Sequence, residues 1–136
     1  MTVSYKNILV LQGFQEAVAK LNLSAEDYAV ISKLSKAVKK LTPELENFQE
    51  MVEDLRLDHC YKEGTKIVRE NGQLQWSAEG EKAFRKAYKE LLTKQVEVDI
   101  QPMNYAELYL LLPEGASETN KWDDVKESLS PFFEYN

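Results

Sequence analysis

The chain has 136 residues and a mass of 15.7 kDa, a size at which one domain closes a hydrophobic core without disulfides or metals as staples. Hydrophobic residues at 43% and charged residues at 29% fit a soluble globular protein and exclude collagen-like and disulfide-scaffold classes. A net charge of -6 opposes generic nucleic-acid binding, which needs a surplus of cations to neutralise phosphates, and the single cysteine, Cys60, excludes an internal disulfide and suits a reducing cytoplasm.

No stretch approaches the roughly 20 apolar residues of a membrane span, and the apolar run Ile8-Leu9-Val10-Leu11 is too short for a signal peptide. The expected protein is therefore cytoplasmic, with no membrane partner. Without internal repeats or Pro/Gly-rich linkers, residues 1–136 read as a single domain.

Ile8, Leu11, Phe14, Val18 and Leu21 recur at spacings of three and four, which predicts a first helix over about 7–21. Ser24 then offers an N-cap oxygen, and Asp27 stands three residues later where its charge favours the positive helix end. The stripe Ile31, Leu34, Val38, Leu41, Leu45, Phe48, Val52, Leu55 runs unbroken for more than three heptads. A straight rod of that extent would reach about 54 Å, longer than a domain of this size is wide. Thr42-Pro43-Glu44 is the place to bend, because Pro43 lacks an N–H and Thr42 can cap a new helix. Lys36, Lys39 and Lys40 before it and Glu44 and Glu46 after it match the polarity of a helix end followed by a helix start. Two helices over about 25–41 and 43–60 are predicted, with a single kinked helix as the competing form. The same seam would serve either an internal core or a homo-oligomer.

Asn71-Gly72 is the dipeptide of a type I′ hairpin and predicts strands over about 65–76. Glu70 then pairs with Gln73, Arg69 with Leu74, Val68 with Gln75 and Ile67 with Trp76, which puts Ile67, Leu74 and Trp76 on one face. Ser77 caps the next helix, about 78–94, whose stripe is Phe84, Ala87, Tyr88, Leu91 and Leu92. Val96, Val98 and Ile100 alternate with acids and predict a strand over about 96–100. Pro113-Glu114-Gly115 marks a turn, and a short helix follows over about 119–129. The expected class is α+β, mostly α: a bundle of three to four helices with a small β-hairpin or sheet and a short C-terminal helix.

Charge is unevenly spread. Before Val96 there are 15 Lys and Arg against 14 Asp and Glu; from Val96 onward Lys121 and Lys126 face nine acids. That acidic segment also holds Tyr105, Tyr109, Trp122, Phe132, Phe133 and Tyr135, too much apolar surface for a solvated tail. It is expected to pack on its own domain or on a partner.

Candidate chemistry is sparse. His59 and Cys60 are neighbours that diverge by roughly 100° on a helix, and with no second His or Cys they form neither a zinc site nor a nucleophile pair. Glu44, Glu46, Glu50, Glu53, Asp54 and Asp58 lie away from the apolar seam, as an ordinary solvated face does. The basic run Lys33, Lys36, Lys39, Lys40, with Lys62 and Lys66 further on, lacks arginine and interleaved aromatics, which opposes nucleic-acid binding. No phosphate-binding Gly-rich loop occurs. Neither catalytic residues nor a cofactor nor a metal is expected.

The order of a helix, a heptad-rich helix carrying Lys-Leu-Thr-Pro-Glu-Leu-Glu, an Asn-Gly hairpin, a helix with Tyr-Lys-Glu-Leu-Leu, the strand Val-Glu-Val-Asp-Ile and the ending Leu129-Ser130-Pro131-Phe132 resembles a family of small uncharacterised bacteriophage and prophage proteins. The resemblance implies a mobile-element origin and a role in assembly or host interaction. The expectation is a non-enzymatic protein that binds another protein, with Trp122, Phe132, Phe133 and Tyr135 as exposed anchors. An acidic mimic of nucleic acid that blocks a DNA-binding protein, and a carboxylate-dependent hydrolase, are the alternatives.

Overall fold

The computed structural model describes residues 1–19, 27–104 and 120–134, apart from the side chains of 19, 27 and 120–124. The expected Ser24 cap, the turn at Pro113 and the residues Tyr105 and Tyr109 lie outside the described residues.

β1 (Thr2–Ser4) precedes the first helix and pairs antiparallel with β6 (Gln95–Glu97), Val3 opposite Val96. Met1 and Val98 extend this ladder by exchanging backbone bonds of 3.1 and 2.9 Å. The strand expected over 96–100 is therefore shorter and earlier, and its partner is the first strand of the chain. Val3 is buried on the inner side of the pair, which is what its β-branched side chain favours.

α1 (Tyr5–Ala19) starts two residues before its expected position because Ser4 and Asn7 cap it reciprocally. Asn7 N–H donates to Ser4 Oγ at 3.1 Å, and Ser4 N–H donates to Asn7 Oδ1 at 2.8 Å. The side-chain amide of Asn7 then donates to the Ser128 carbonyl at 2.9 Å, tying this cap to the last helix. Tyr5, Ile8, Leu11 and Val18 are buried along one stripe.

α2 (Asp27–Lys40) and α3 (Thr42–His59) are separated by Leu41 alone. Leu41 keeps near-helical dihedrals (φ -87°, ψ -5°), its N–H donates to Val38 and Ala37, and its carbonyl accepts from Leu45 at 3.0 Å. The expected Thr42 cap is replaced: the cap position is Leu41, without a side-chain bond, and Pro43 fills the first turn, where a missing N–H costs nothing. Leu34, Leu41, Leu45, Phe48 and Val52 are all buried, so this length of the heptad seam faces inward onto α1.

Between α3 and the next helix lie two hairpins. β2 (Lys62–Glu63) pairs with β3 (Lys66–Ile67), with Gly64 at φ +65° in the two-residue loop; β4 (Arg69–Glu70) pairs with β5 (Gln73–Leu74) around Asn71 and Gly72, at φ +52° and +79°. The expected pairs Arg69–Leu74 and Glu70–Gln73 form. Ile67 instead pairs with Lys62, which corrects its expected place opposite Trp76. Where the hairpins meet, Tyr61 N–H donates to Gln75, Gln75 N–H to Val68 and Val68 N–H to Tyr61, closing a ring of three backbone hydrogen bonds at 2.7, 3.3 and 3.4 Å.

α4 (Ala78–Leu92) is capped by Ser77, whose Oγ accepts from Gly80 N–H at 3.0 Å, with Glu79 and Glu81 in its first turn. It runs antiparallel to α3: Gly80 lies against the His59 carbonyl and Tyr88 against Phe48. β7 (Met103–Asn104) pairs parallel with β8 (Phe133–Glu134). α5 (Asn120–Leu129) packs on α1 and leads through a 3-10 turn, Ser130–Phe132, into β8. The architecture is α+β, mostly helical, with small two-stranded sheets. No described helix is long and apolar enough to cross a membrane.

Candidate functional site: an aromatic groove between two charged helix faces

Of the four expected anchors, Phe132 is 0% exposed and Phe133 6% exposed. Both lie in the main core, so they hold the C-terminal segment against its own domain and present no surface to a partner, which corrects their expected role. The Trp122 side chain and Tyr135 lie outside the described residues.

The other sequence candidates fall apart spatially. Cys60 is buried at the end of α3, where its Sγ reaches the Leu57 carbonyl at 3.4 Å. Among the described residues no group of three or more His, Cys, Asp or Glu is placed to hold a metal ion. Lys33, Lys36 and Lys40 line an open depression of about 480 Å³ with Ile100, Met103 and Glu134, while Lys39 is not among its lining residues.

A different region gathers half-buried aromatics. α4 is strongly amphipathic, yet none of its side chains is fully buried. Phe84, Ala87, Tyr88, Leu91 and Leu92 are all half-buried. Along its junction with α3 runs a groove of about 310 Å³, lined by Phe48, Gln49, Val52, Arg56, Phe84 and Tyr88. Past Phe84 a second depression of about 310 Å³ is lined by Trp76, Glu81, Phe84 and Arg85. The two share Phe84.

The rings form one continuous row. Trp76 and Phe84 have centroids 5.3 Å apart, Phe84 and Tyr88 6.0 Å, Tyr88 and Phe48 6.0 Å, and Phe48 and Tyr5 5.2 Å. Such spacings lie within the range of favourable ring pairing, so each ring helps to fix the next. The row is buried at Tyr5 and Phe48 and half-exposed at Tyr88, Phe84 and Trp76. A rigid apolar strip thus reaches the surface from an anchored base.

Charges of opposite sign flank it. On α3, Glu46 and Glu53 are exposed next to Gln49 and Arg56, with Glu50 further round the helix; on α4, Arg85, Lys89 and Lys82 are exposed on the flank of Phe84 and Tyr88, with Lys86 further round. Two ion pairs run along the helices, Arg56–Glu53 at 3.3 Å and Arg85–Glu81 at 2.6 Å. Both are solvent-exposed, and exposed pairs of this kind contribute at most about 1 kcal/mol. The face therefore reads as an acidic ridge, an aromatic trough and a basic ridge.

A usable signal for this site exists in the sequence: Lys82, Arg85, Lys86 and Lys89 keep the spacing of one helical stripe, and Trp76, Phe84 and Tyr88 lie beside it. The charge balance of the chain conceals that stripe, since the residues before Val96 sum to nearly zero. Compared with protein-family models, curated proteins and solved structures, the chain matches none.

Proposed function

We propose that the protein is a binding module that works by recognising another polypeptide on the face formed by α3 and α4. One observation carries this reading: a fifteen-residue amphipathic helix shows a row of half-exposed aromatic rings at a groove and buries no side chain completely. Aromatic side chains bury large area at low entropic cost, and contact hot spots are enriched in Trp, Tyr and Arg. Trp76, Tyr88, Arg56 and Arg85 are those residue types, in that place. The two-signed charge pattern favours such a surface over a uniformly acidic imitation of nucleic acid. The resemblance to small phage and prophage proteins supports a role in assembly or host interaction, and the lone Cys60 supports a cytoplasmic setting.

The test is site-specific photo-cross-linking in the cells that make the protein. A photoreactive phenylalanine at position 84 or 88 is expected to give a discrete adduct, and the same group at Tyr28, exposed on α2, is expected to give none. Equal labelling at all three positions, or no adduct at 84 and 88, overturns the assignment.

A further inference from the structure

We infer that the occupant of the α3–α4 groove is a second copy of this chain, turned by a two-fold axis that runs along the groove. The inference rests on the binding reading given above and names its partner. The charge layout is the reason. Rotation about an axis along the trough brings the trough of one copy onto that of the other and exchanges left for right. The acidic ridge of α3 then faces the basic ridge of the partner's α4, twice over. The alternative axis in the plane of the face, across the trough, sets acid against acid and base against base, which complementary interfaces avoid.

The antiparallel run of α3 and α4 makes the match hold residue by residue. Gly80 is level with His59 and Tyr88 with Phe48, which puts Glu53 near the height of Arg85, Glu50 near Lys86, Glu46 near Lys89 and Asp54 near Lys82. A two-fold rotation about the groove preserves height, so Glu53–Arg85 and Glu46–Lys89, which stand nearest the trough on their helices, meet between copies. Arg56 and Glu81, which line the trough itself, also fall close together across the axis. Trp76, Phe84 and Tyr88 of both copies then cover one another and complete the burial that α4 lacks alone. Apolar cover supplies affinity in this arrangement, and the ridges select the axis.

The experiment uses two charge-reversed forms of the whole chain. One carries Glu46→Lys and Glu53→Lys, which sets lysines against Lys89 and Arg85 of the partner; the other carries Arg85→Glu and Lys89→Glu, which sets glutamates against Glu53 and Glu46. All four positions are exposed, and thermal melts check that each form folds. Sedimentation is followed from about 1 µM to 1 mM, the range from firm to weak association. The unaltered chain is expected to dimerise within it, each reversed form to bind itself at least about tenfold more weakly, and an equimolar mixture of the two to recover a mixed dimer. A native chain that stays monomeric throughout, reversed forms that self-associate as tightly as the native chain, or a mixture that does not pair overturns the inference. If the native chain is monomeric while positions 84 and 88 still cross-link to another polypeptide, self-pairing fails and the binding face stands. If they do not cross-link either, both fail.

Discussion

Two helical glycines, Gly13 inside α1 and Gly80 in the first turn of α4, behave oppositely once their surroundings are known. At Gly13 an added Cβ meets nothing within 4 Å, so Gly13→Ala is expected to raise stability by about 0.5–1 kcal/mol through reduced backbone entropy. At Gly80 the same atom would stand 2.3 Å from the His59 carbonyl oxygen, a backbone atom that cannot swing aside. Gly80→Ala is expected to cost about 1–3 kcal/mol, by strain or by prising α4 from α3, and urea melts of the two variants give the opposite signs directly. Tyr5 supplies a third residue-scale expectation. Burial, and secondarily the Glu44 carboxylate, pushes its phenol above the usual value of 10.0, so the folded state holds that proton more tightly than the unfolded chain. Its contribution is complete below the unfolded value and is lost as pH rises through the folded one. Stability should therefore fall more steeply on the alkaline side above about pH 10 than it does in Tyr5→Phe, whose alkaline limb should be flatter in pH-dependent denaturation.

At the scale of elements, what the sequence made legible was what is local. The Asn71-Gly72 turn and the pairs beside it could be read because the positive φ of two consecutive residues is a property of the dipeptide. The Pro43 break was legible for the same reason, while the Thr42 cap was not, because Leu41 stays near-helical and is held in place by burial in the core. Strand β1 left almost no trace: three residues carry too little pattern, and their partner lies more than ninety positions away. Phe132 was misplaced because an aromatic near a chain end looks the same in sequence whether it caps a core or meets a partner. Its 0% exposure converts it into a structural prediction. Phe132→Ala is expected to cost about 3–5 kcal/mol and to lower the denaturation midpoint sharply. Trp76→Ala, half-exposed in the candidate groove, should cost much less stability.

Over the whole molecule the first described residues are tied to segments far along the chain. β1 holds β6, and Asn7 links the first helix cap to the Ser128 carbonyl across 121 positions of sequence. Asn7→Ala removes one side chain and leaves two groups seeking partners, the Ser4 N–H and the Ser128 carbonyl, while the backbone bond from residue 7 to Ser4 Oγ is kept. A loss of about 1–3 kcal/mol is expected, with amide exchange accelerated in α5 as well as in the first turn of α1; acceleration confined to α1 would refute the link. The binding face was only partly legible at this scale. The heptad seam does point to helix–helix contact, but the structure turns most of it inward and leaves α4, whose pattern is the shorter, as the face with uncovered rings. Which of two amphipathic helices ends up uncovered is decided by where all the others pack.

The three backbone bonds among Tyr61, Val68 and Gln75 act as a ruler for the segment that joins α3 to α4. Each contributor stands seven positions from the next, so each intervening loop is exactly as long as the closed circuit permits. One residue added to either hairpin shifts a donor out of line and swings its side chains to the opposite face. Because this segment sets where α4 lands, an alanine inserted after Gly64 should move Gly80 off the end of α3 and disperse the Trp76–Phe84 contact, visible as a change in tryptophan emission, although the insertion touches neither ring. Long exposed connectors normally absorb such additions at little cost; this one is predicted to tolerate substitution at its tips and to resist any change in its count.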